Sequence, residues 1–192
     1  MIIGLTGTIG CGKTTGTRFF EETGSKIISS DAIAHELMRT DKGIRGVLEG
    51  RWGRGIFDDE GRVFRRKIAS IVFNDGQELD WLEGLLHPRI HEERERLMQL
   101  YKGQFVVVEV PLLFEKKLEN ICDYVVCIYT SSKVRNERLN AKGYSLLQIE
   151  ARLKRQLPLQ EKIKKSHFVI TNDGSFDFLK QQILYLIKKL YG

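Results

Sequence analysis

Cysteine, proline and long apolar runs are all scarce in this chain of 192 residues. It has three cysteines and three prolines. The cysteines form no CxxC pair and no zinc-spaced cluster with histidine, and an odd number of thiols fits a reducing cytoplasm better than a disulfide framework. No apolar run approaches the roughly 20 residues that cross a bilayer, and the N-terminal run lacks the basic leader of a signal peptide. We therefore expect a cytoplasmic, single-domain protein without a membrane partner.

Positive charge is abundant but unevenly distributed. The formal net charge is +6, yet residues 133–165 alone carry +7, from ten Lys/Arg against three Glu, so the remainder is at −1. A generally basic chain would suggest nucleic acid, whereas a single basic segment indicates one anionic site. A solvated helical face would explain about half of these charges equally well. Because the segment lacks aromatic interleaving, we expect no nucleic-acid partner.

Apolar strand patterns alternate with helical patterns along the chain. The predicted strands are 1–5, 25–31, 104–110, 123–129 and 167–171. Helices are predicted at 13–22 and at the C-terminal end, where Leu179, Ile183, Leu186 and Leu190 have helical spacing. Pro88 is expected in the first turn of another helix, where its missing N–H costs nothing. The alternation predicts a three-layer α/β fold around a parallel sheet, with ligands at the carboxyl ends of its strands.

A glycine-rich loop follows the first strand. Residues 7–14 satisfy G-x4-G-K-[ST] between a predicted strand and a predicted helix, the context that this motif requires. Its amides and the helix N-terminus can converge on phosphate oxygens. Lys13 directs an ammonium to the β- and γ-phosphates, and the Thr14 hydroxyl is the predicted Mg²⁺ ligand. The predicted nucleotide-binding residues are Thr8, Ile9, Gly10, Cys11, Gly12, Lys13, Thr14 and Thr15.

Two carboxylates stand at or near predicted strand ends. Asp31, at the end of the second strand beside the loop, can accept a proton from an attacking hydroxyl or bind Mg²⁺ through water. It can also cap the following helix, and both roles are compatible. Glu109, within an apolar strand, needs a partner, so a catalytic role and a structural ion pair are both open. Asp31 is the stronger candidate for the catalytic base.

The basic segment predicts a lid of the kind that closes over a transferring phosphoryl group and excludes water. Arg138 is the best candidate for this role, ahead of Arg135, Arg152 and Arg155. No N-K-x-D string and no D-x-x-G in a switch position occur, which argues against a GTPase. Two alternatives stay open: another small kinase acting on a nucleoside, nucleotide or shikimate-like alcohol, and a non-catalytic nucleotide-binding module that docks a macromolecule through 133–165.

Further motifs occur in a specific order along nearly the whole chain. They are IIGLTGTIGCGKTT, SSDAIAHEL, VFRRKIASIVF, LLHPRIHEE, VVVEVPLLFE, ERLNAK and RQLPLQEK followed by FVITNDGS. In this order they resemble the dephospho-CoA kinases, and HP followed by PLLFE is far more specific than the loop. The resemblance implies a P-loop NTPase fold of the nucleoside-monophosphate-kinase type, with ATP as co-substrate and Mg²⁺. It also implies transfer of the ATP γ-phosphate to the ribose 3′-hydroxyl of dephospho-CoA, the last step of coenzyme A synthesis.

The same resemblance implies roles for residues that local patterns leave unremarkable. The implied acceptor-binding residues are Asp31, Arg65, His87, Pro88, Pro111, Leu112 and Leu113. Arg138 would contact the phosphoryl group from the lid, and Asn172, locally a turn residue, would border the adenine of ATP. The expected layout is a core of about 1–34, 103–132 and 166–192, a helical acceptor-binding region of about 35–102, and a helical lid of about 133–165. We expect a monomer.

The chain departs from the family pattern in several places. Ser29-Ser30-Asp31 stands where the family has Asp-Ala-Asp, so the first carboxylate is missing and the second is retained. Phe64 replaces an acid before Arg65, and Lys142 replaces the second arginine of the lid, which loses a bidentate fork. Ser166-His167 replaces Ala-Asp. These departures bear on substrate fit and rate, while the loop and Asp31 keep the chemistry available.

Overall fold

A five-stranded parallel sheet organises the first of two compact units. The computed structural model describes residues 1–191, and at positions 73 and 74 it describes the backbone alone. The first unit comprises residues 1–29 and those from 101 onward. Its strands are β1 (Ile2–Thr6), β2 (Lys26–Ser29), β3 (Val106–Glu109), β4 (Tyr124–Tyr129) and β5 (Phe168–Thr171), in the order β2-β3-β1-β4-β5. The α/β class predicted from the sequence is confirmed.

Helices alternate with these strands. In chain order they are α1 (Lys13–Glu22), α2 (Ser30–Thr40), α3 (Lys42–Trp52), α4 (Arg65–Asn74), α5 (Gly76–Leu100), α6 (Ser132–Ala141), α7 (Leu146–Lys154), α8 (Leu159–Lys165) and α9 (Phe176–Tyr191), with short 3-10 turns at Arg54–Ile56 and Leu118–Ile121. In the part of the chain that the structure describes, no helix is long and apolar enough to span a membrane.

Branched apolar residues of the inner strands form the core of the first unit. Leu5 of β1, Val107 of β3 and Ile128 of β4 are fully buried, and Phe20 of α1 and Ile183 of α9 pack into the same cluster. Strands covered on both faces carry nearly continuous apolar runs, because both sets of alternating side chains are buried. This burial explains why short apolar runs were enough to predict the strands.

The strand order corrects one expectation about Asp31. The sequence predicts that the strand leading to Asp31 lies beside the strand that carries the loop, but β3 lies between β2 and β1. Val106 of β3 pairs with Ile2 on one side and with Lys26 on the other. The first crossover skips one position in the sheet, and a valine-rich strand from much later in the chain fills it. The carboxyl end of β1 therefore neighbours those of β3 and β4.

A helical cluster forms the second unit, residues 30–100. In it, α2 packs against α3 and α5, and α4 packs against α5. The buried residues of α5, Leu82, Leu86, Ile90 and Arg94, recur every four residues along one face. Trp52 and Trp81 meet edge to face with ring centroids 5.1 Å apart, and Trp52 Nε1 donates to Glu78. This unit is therefore built mainly by helix packing, with a single antiparallel bridge between Phe57 and Val63 among the residues described.

Pro88 lies inside α5, which corrects the prediction that it occupies a first helical turn. A proline at this position leaves the carbonyl of Gly84, four residues earlier, without its usual helical donor, and interior prolines cost about 3 kcal/mol or more. The apolar face continues from Leu86 to Ile90 across the proline. Because the helix must continue to bury Ile90, packing outweighs the local cost.

Candidate phosphoryl-transfer site

The phosphate loop lies between the carboxyl end of β1 and the start of α1. Gly7, Gly10 and Gly12 have φ values of 146°, 77° and 90°, which residues with a side chain rarely adopt. Lys13 Nζ folds back into the loop and donates to the carbonyls of Gly7 and Thr8 at 3.0 and 3.1 Å. The lysine is only 9% exposed. The backbone carbonyls of the loop therefore hold the Lys13 ammonium within the loop.

Residues that follow two strands hold the Cys11 carbonyl. Thr130, just after β4, donates to it through Oγ1 at 3.1 Å, and Asn172, just after β5, donates through Nδ2 at 2.8 Å. A Cβ on Gly12 would come within 2.1 Å of Asn172 Nδ2, so the amide lies directly against the loop. Thr130 was not identified from the sequence, although its place at a strand end was a usable signal. The adenine contact of Asn172 stays a prediction.

The first helix of the basic segment, α6, packs on the loop. A Cβ on Gly10 would lie 2.9 Å from Leu139 Cγ and 3.0 Å from Arg135 Cγ. The Arg135 guanidinium donates to Asn136 Oδ1 at 3.0 and 3.1 Å. By contrast, Arg138 Nη1 would lie 3.8 Å from a Cβ on Gly12. Of the arginines on this helix, Arg138 thus brings its guanidinium to the glycine that precedes Lys13.

Buried polar atoms near the loop identify where a ligand can pair. Thr8 Oγ1, Arg138 Nη1 and Asn172 Oδ1 have no hydrogen-bond partner among the residues that the structure describes. Such atoms are costly unless a ligand, ion or water satisfies them. The guanidinium and the Lys13 ammonium are donors that favour phosphate oxygens. The chemistry of this donor set therefore fits the phosphates of a nucleotide.

The start of α1 supplies the predicted metal ligand. Thr14 is exposed in the first helical turn, and Thr15 follows it with an amide that donates to Gly12 O at 3.1 Å. Over the described part of the chain, no group of three or more His, Cys, Asp or Glu could hold a metal ion. Mg²⁺ in phosphoryl-transfer sites takes few protein ligands and completes its shell with phosphate and water. One hydroxyl fits that requirement, and the role of Thr14 stays a prediction.

Asp31, His35 and Arg65 form a cluster in the second unit. Asp31 lies in the first turn of α2, which begins at Ser30, so Asp31 is not the residue that precedes the helix. Arg65 Nη2 lies 2.6 Å from His35 Nε2. Burial lowers the pKa of His35 below 6.5 and the Arg65 guanidinium lowers it further, while Asp31 opposes both. A neutral imidazole therefore accepts the guanidinium N–H. Sequence reasoning missed His35, although its spacing of four residues from Asp31 was a usable signal.

The predicted HP motif lies in the middle of α5. His87 and Pro88 are exposed, and His87 Nε2 lies 3.9 Å from Glu83 Oε2 one turn earlier. The surface position of His87 is compatible with a binding role. A contact of His87 and Pro88 with the acceptor stays a prediction.

The PLLFE segment follows β3 in the first unit. The Pro111 carbonyl accepts a hydrogen bond from Thr6 Oγ1 at 3.4 Å, and Leu112 is half-buried beside it. Leu113 is fully buried, and a Cβ on Gly4 would come within 2.7 Å of its Cδ1. A glycine in β1 therefore makes room for this segment against the strand that leads into the loop.

The structure shows the surroundings of two residues at which the chain departs from the family pattern, Ser29 and His167. Ser29, which stands where the family has a carboxylate, pairs in register with Glu109 of β3. Glu109 is 6% exposed and pairs with Leu5 on its other side. His167, which stands where the family has Asp, accepts the Val125 amide at Nδ1 over 3.0 Å. An imidazole nitrogen thus makes a backbone contact that a carboxylate could also make. The catalytic and the structural role of Glu109 both stay predictions.

Comparisons with known proteins identify the family. The family model described as dephospho-CoA kinase matches residues 1–177. The chain is 35% identical over 190 residues to the dephospho-CoA kinase of Aquifex aeolicus, covering 98% of this chain and 95% of that protein. It is also 35% identical over 193 residues to that of Lactobacillus johnsonii, covering 98% and 97%. The solved dephospho-CoA kinase of Campylobacter jejuni superposes with a TM-score of 0.70 at 28% identity, over 98% of this chain and 96% of that one. Since these matches run through both units, the chain belongs to the dephospho-CoA kinase family.

Proposed function

We propose that the chain transfers the γ-phosphate of ATP to the ribose 3′-hydroxyl of dephospho-CoA. The observation that supports ATP as the phosphoryl donor is that the buried Lys13 ammonium and the Arg138 guanidinium both lie at the phosphate loop. The family match supports the acceptor, because the relatives are dephospho-CoA kinases over nearly their full length. The products are coenzyme A and ADP.

Asp31 acts as the general base in this proposal. The hydroxyl oxygen forms a bond to the γ-phosphorus, the bond between that phosphorus and the β–γ bridging oxygen breaks, and the hydroxyl proton passes to the Asp31 carboxylate. Asp31 lies exposed in the first turn of α2 and supplies the carboxylate that this step needs.

Charge on the transferring group is stabilised by Lys13 and Arg138. Both are cationic donors, and the Gly7 and Thr8 carbonyls already hold Lys13 in place before the reaction, which makes it more effective than mobile water. Thr14 would hold Mg²⁺, which supplies positive charge to the β- and γ-phosphate oxygens when it is bound. Asn172 borders the base of ATP, and its buried Oδ1 is an acceptor for an amino group.

Arg65, His87, Pro88 and the Pro111–Leu113 segment bind the acceptor in this proposal, with His35 holding the Arg65 guanidinium. The proposed layout keeps the expected division into a core, an acceptor-binding region at about 35–102 and a lid at about 133–165. The protein acts as a cytoplasmic monomer, and its three cysteines are free thiols.

The test is ADP release coupled to NADH oxidation, measured with and without dephospho-CoA. We expect release that depends on the acceptor, and phosphorus NMR should show a new 3′-phosphomonoester that a 3′-nucleotidase removes. Adenosine, AMP and shikimate serve as a control panel at equal concentration. A faster rate with any of these acceptors than with dephospho-CoA would contradict the proposed substrate.

A further inference from the structure

Lys162 of α8 is a fully buried lysine outside the catalytic set. Its side chain has 0% exposure, and Nζ lies 2.8 Å from Glu115 Oε1, 3.1 Å from Glu115 Oε2 and 2.8 Å from the Pro111 carbonyl. Three oxygens thus surround an ammonium that has three N–H donors. In the sequence this residue is one of ten cations of the basic segment, but in the structure it cannot face solvent or a ligand.

Glu115 also forms a hydrogen bond with the turn between α7 and α8. Its Oε1 also accepts the Leu157 amide at 2.6 Å. The preceding residue, Gln156, accepts the Ile9 amide of the phosphate loop at its Oε1 over 3.1 Å. The turn is therefore bonded on one side to the PLLFE segment and on the other to the loop.

The Pro111 carbonyl connects these contacts to β1. Pro111, held by Lys162, also accepts from Thr6 Oγ1, and Thr6 leads directly into the loop. We call Lys162, Glu115 and Gln156 the tether. Through it, the donor loop and the segment predicted to contact the acceptor share one set of hydrogen bonds within the first unit.

Stability alone does not account for a buried ion pair in this place. Well-packed apolar residues in place of a buried ion pair are often neutral or stabilising, because two charges no longer lose their hydration. Apolar residues would not hold the Pro111 carbonyl or the Leu157 amide at a fixed position, since both need polar partners. What the tether supplies is the position of these backbone groups.

We propose that the tether positions the phosphate loop and the Pro111–Leu113 segment for phosphoryl transfer, with Lys162 as its central positioning residue. The proposal rests on the proposed function for the identity of the acceptor. Transfer needs the reacting atoms within a few tenths of an ångström of their aligned geometry, and displacement by about 1 Å can cost on the order of 10²-fold. The two ends of the tether affect different substrates, because Gln156 bonds to the donor loop and Glu115 and Lys162 to the acceptor segment.

The experiment measures kcat and both KM values in single variants. For Gln156→Leu we expect the KM for ATP to rise about tenfold with little change for dephospho-CoA, because one loop amide loses its partner. For Glu115→Gln we expect the KM for dephospho-CoA to rise and kcat to fall by about tenfold or more. Matched controls are Gln160→Leu and Lys164→Met. They change exposed residues of α8, the helix that carries Lys162, and should leave kcat and both KM values within about twofold.

A double variant separates positioning from stability. Lys162→Met alone leaves the Glu115 carboxylate, which is only 15% exposed, without the Lys162 ammonium, and the variant can fail to fold. Glu115→Gln with Lys162→Met removes both charges and should return the melting temperature close to that of the wild type. If the tether positions the substrates, kcat for this double variant stays at least about tenfold low. Wild-type kcat and KM values together with a wild-type melting temperature would overturn the proposal.

Failure of the proposed function is distinguishable from failure of the tether. If the wild type does not phosphorylate dephospho-CoA, the acceptor assignment fails. ATP affinity of Gln156→Leu, measured by calorimetry without any acceptor, still tests the tether. We expect about tenfold weaker binding than for Gln160→Leu, and equal affinities would overturn the link to the loop.

Discussion

Lys13 and Lys162 are both buried lysines of the same unit, but their partners differ. Lys13 donates to the two neutral carbonyls of Gly7 and Thr8, and no carboxylate pairs with it among the described residues. Lys162 is neutralised by Glu115. An ammonium group that has no carboxylate partner can pair with an anionic ligand, whereas one that is already paired has little attraction left for a ligand. Burial alone therefore does not identify a binding residue; the charge balance around it does.

The largest effect should come from Lys13→Met. We expect kcat to fall by about 10³-fold or more, because a preorganised charge at the transferring group is lost. The melting temperature should stay equal or rise, since the removed ammonium had no counter-ion to lose. Steady-state kinetics and thermal unfolding check the two parts. A marked loss of stability would show that Lys13 is compensated after all.

Asp31→Asn should lower kcat by more than about 10²-fold, because the amide cannot accept the hydroxyl proton. ATP affinity should stay close to that of the wild type, since the predicted ATP contacts do not include this carboxylate. Turnover and ATP calorimetry check this expectation. Turnover near the wild-type level would remove Asp31 from the mechanism.

Arg138→Ala should cost about 10²-fold in kcat, and Arg138→Lys should recover part of that loss because it keeps the charge but not the planar fork. Arg135→Ala on the same helix is the matched control, since its guanidinium is bonded to Asn136. Kinetics of the three variants check the assignment. Equal losses for Arg135→Ala and Arg138→Ala would contradict it.

Lys162→Met tests the other half of the comparison. Removing one partner of a buried ion pair costs about 3–5 kcal/mol, which corresponds to a fall in melting temperature on the order of 10 °C for a protein of this size. Lys164→Met, on the same helix but exposed, should change it by no more than about 2 °C. Calorimetry checks both. If Lys162→Met melted at as high a temperature as Lys13→Met, the proposed difference between the two lysines would be contradicted.

The smallest effect concerns His35, whose pKa lies below 6.5 because of burial and of Arg65. Above 6.5 the imidazole is neutral in both folded and unfolded chains, so it contributes no pH dependence. As pH falls below 6.5, the unfolded chain binds the proton first, and the folded state loses stability until pH passes the lowered value. His35→Gln should reduce this slope. An NMR titration of the imidazole gives the pKa, and a value above 6.5 would contradict the neutral acceptor.

The sequence was sufficient for elements that depend on local pattern. The five strands and α1 are found within a few residues of their predicted bounds, because β-branched runs and the glycine loop determine them locally. Pro88 and the place of β2 were predicted wrongly, since both depend on what packs against the element. Lys162 looks like any other cation of residues 133–165, because a sequence does not show which lysine meets Glu115, 47 positions away. Asn172 likewise looks like a turn residue until β5 brings it to Cys11.

The hydrogen bond from Asn172 to the Cys11 carbonyl joins residues 161 positions apart. On the ribosome, the loop sequence leaves the exit tunnel long before Thr130 and Asn172 have been synthesised. Because both residues hold the same carbonyl, the loop cannot complete its contacts until the last strand of the sheet is in place. We therefore expect competence to hold a nucleotide only after β5 and Asn172 have been synthesised and have docked on the sheet.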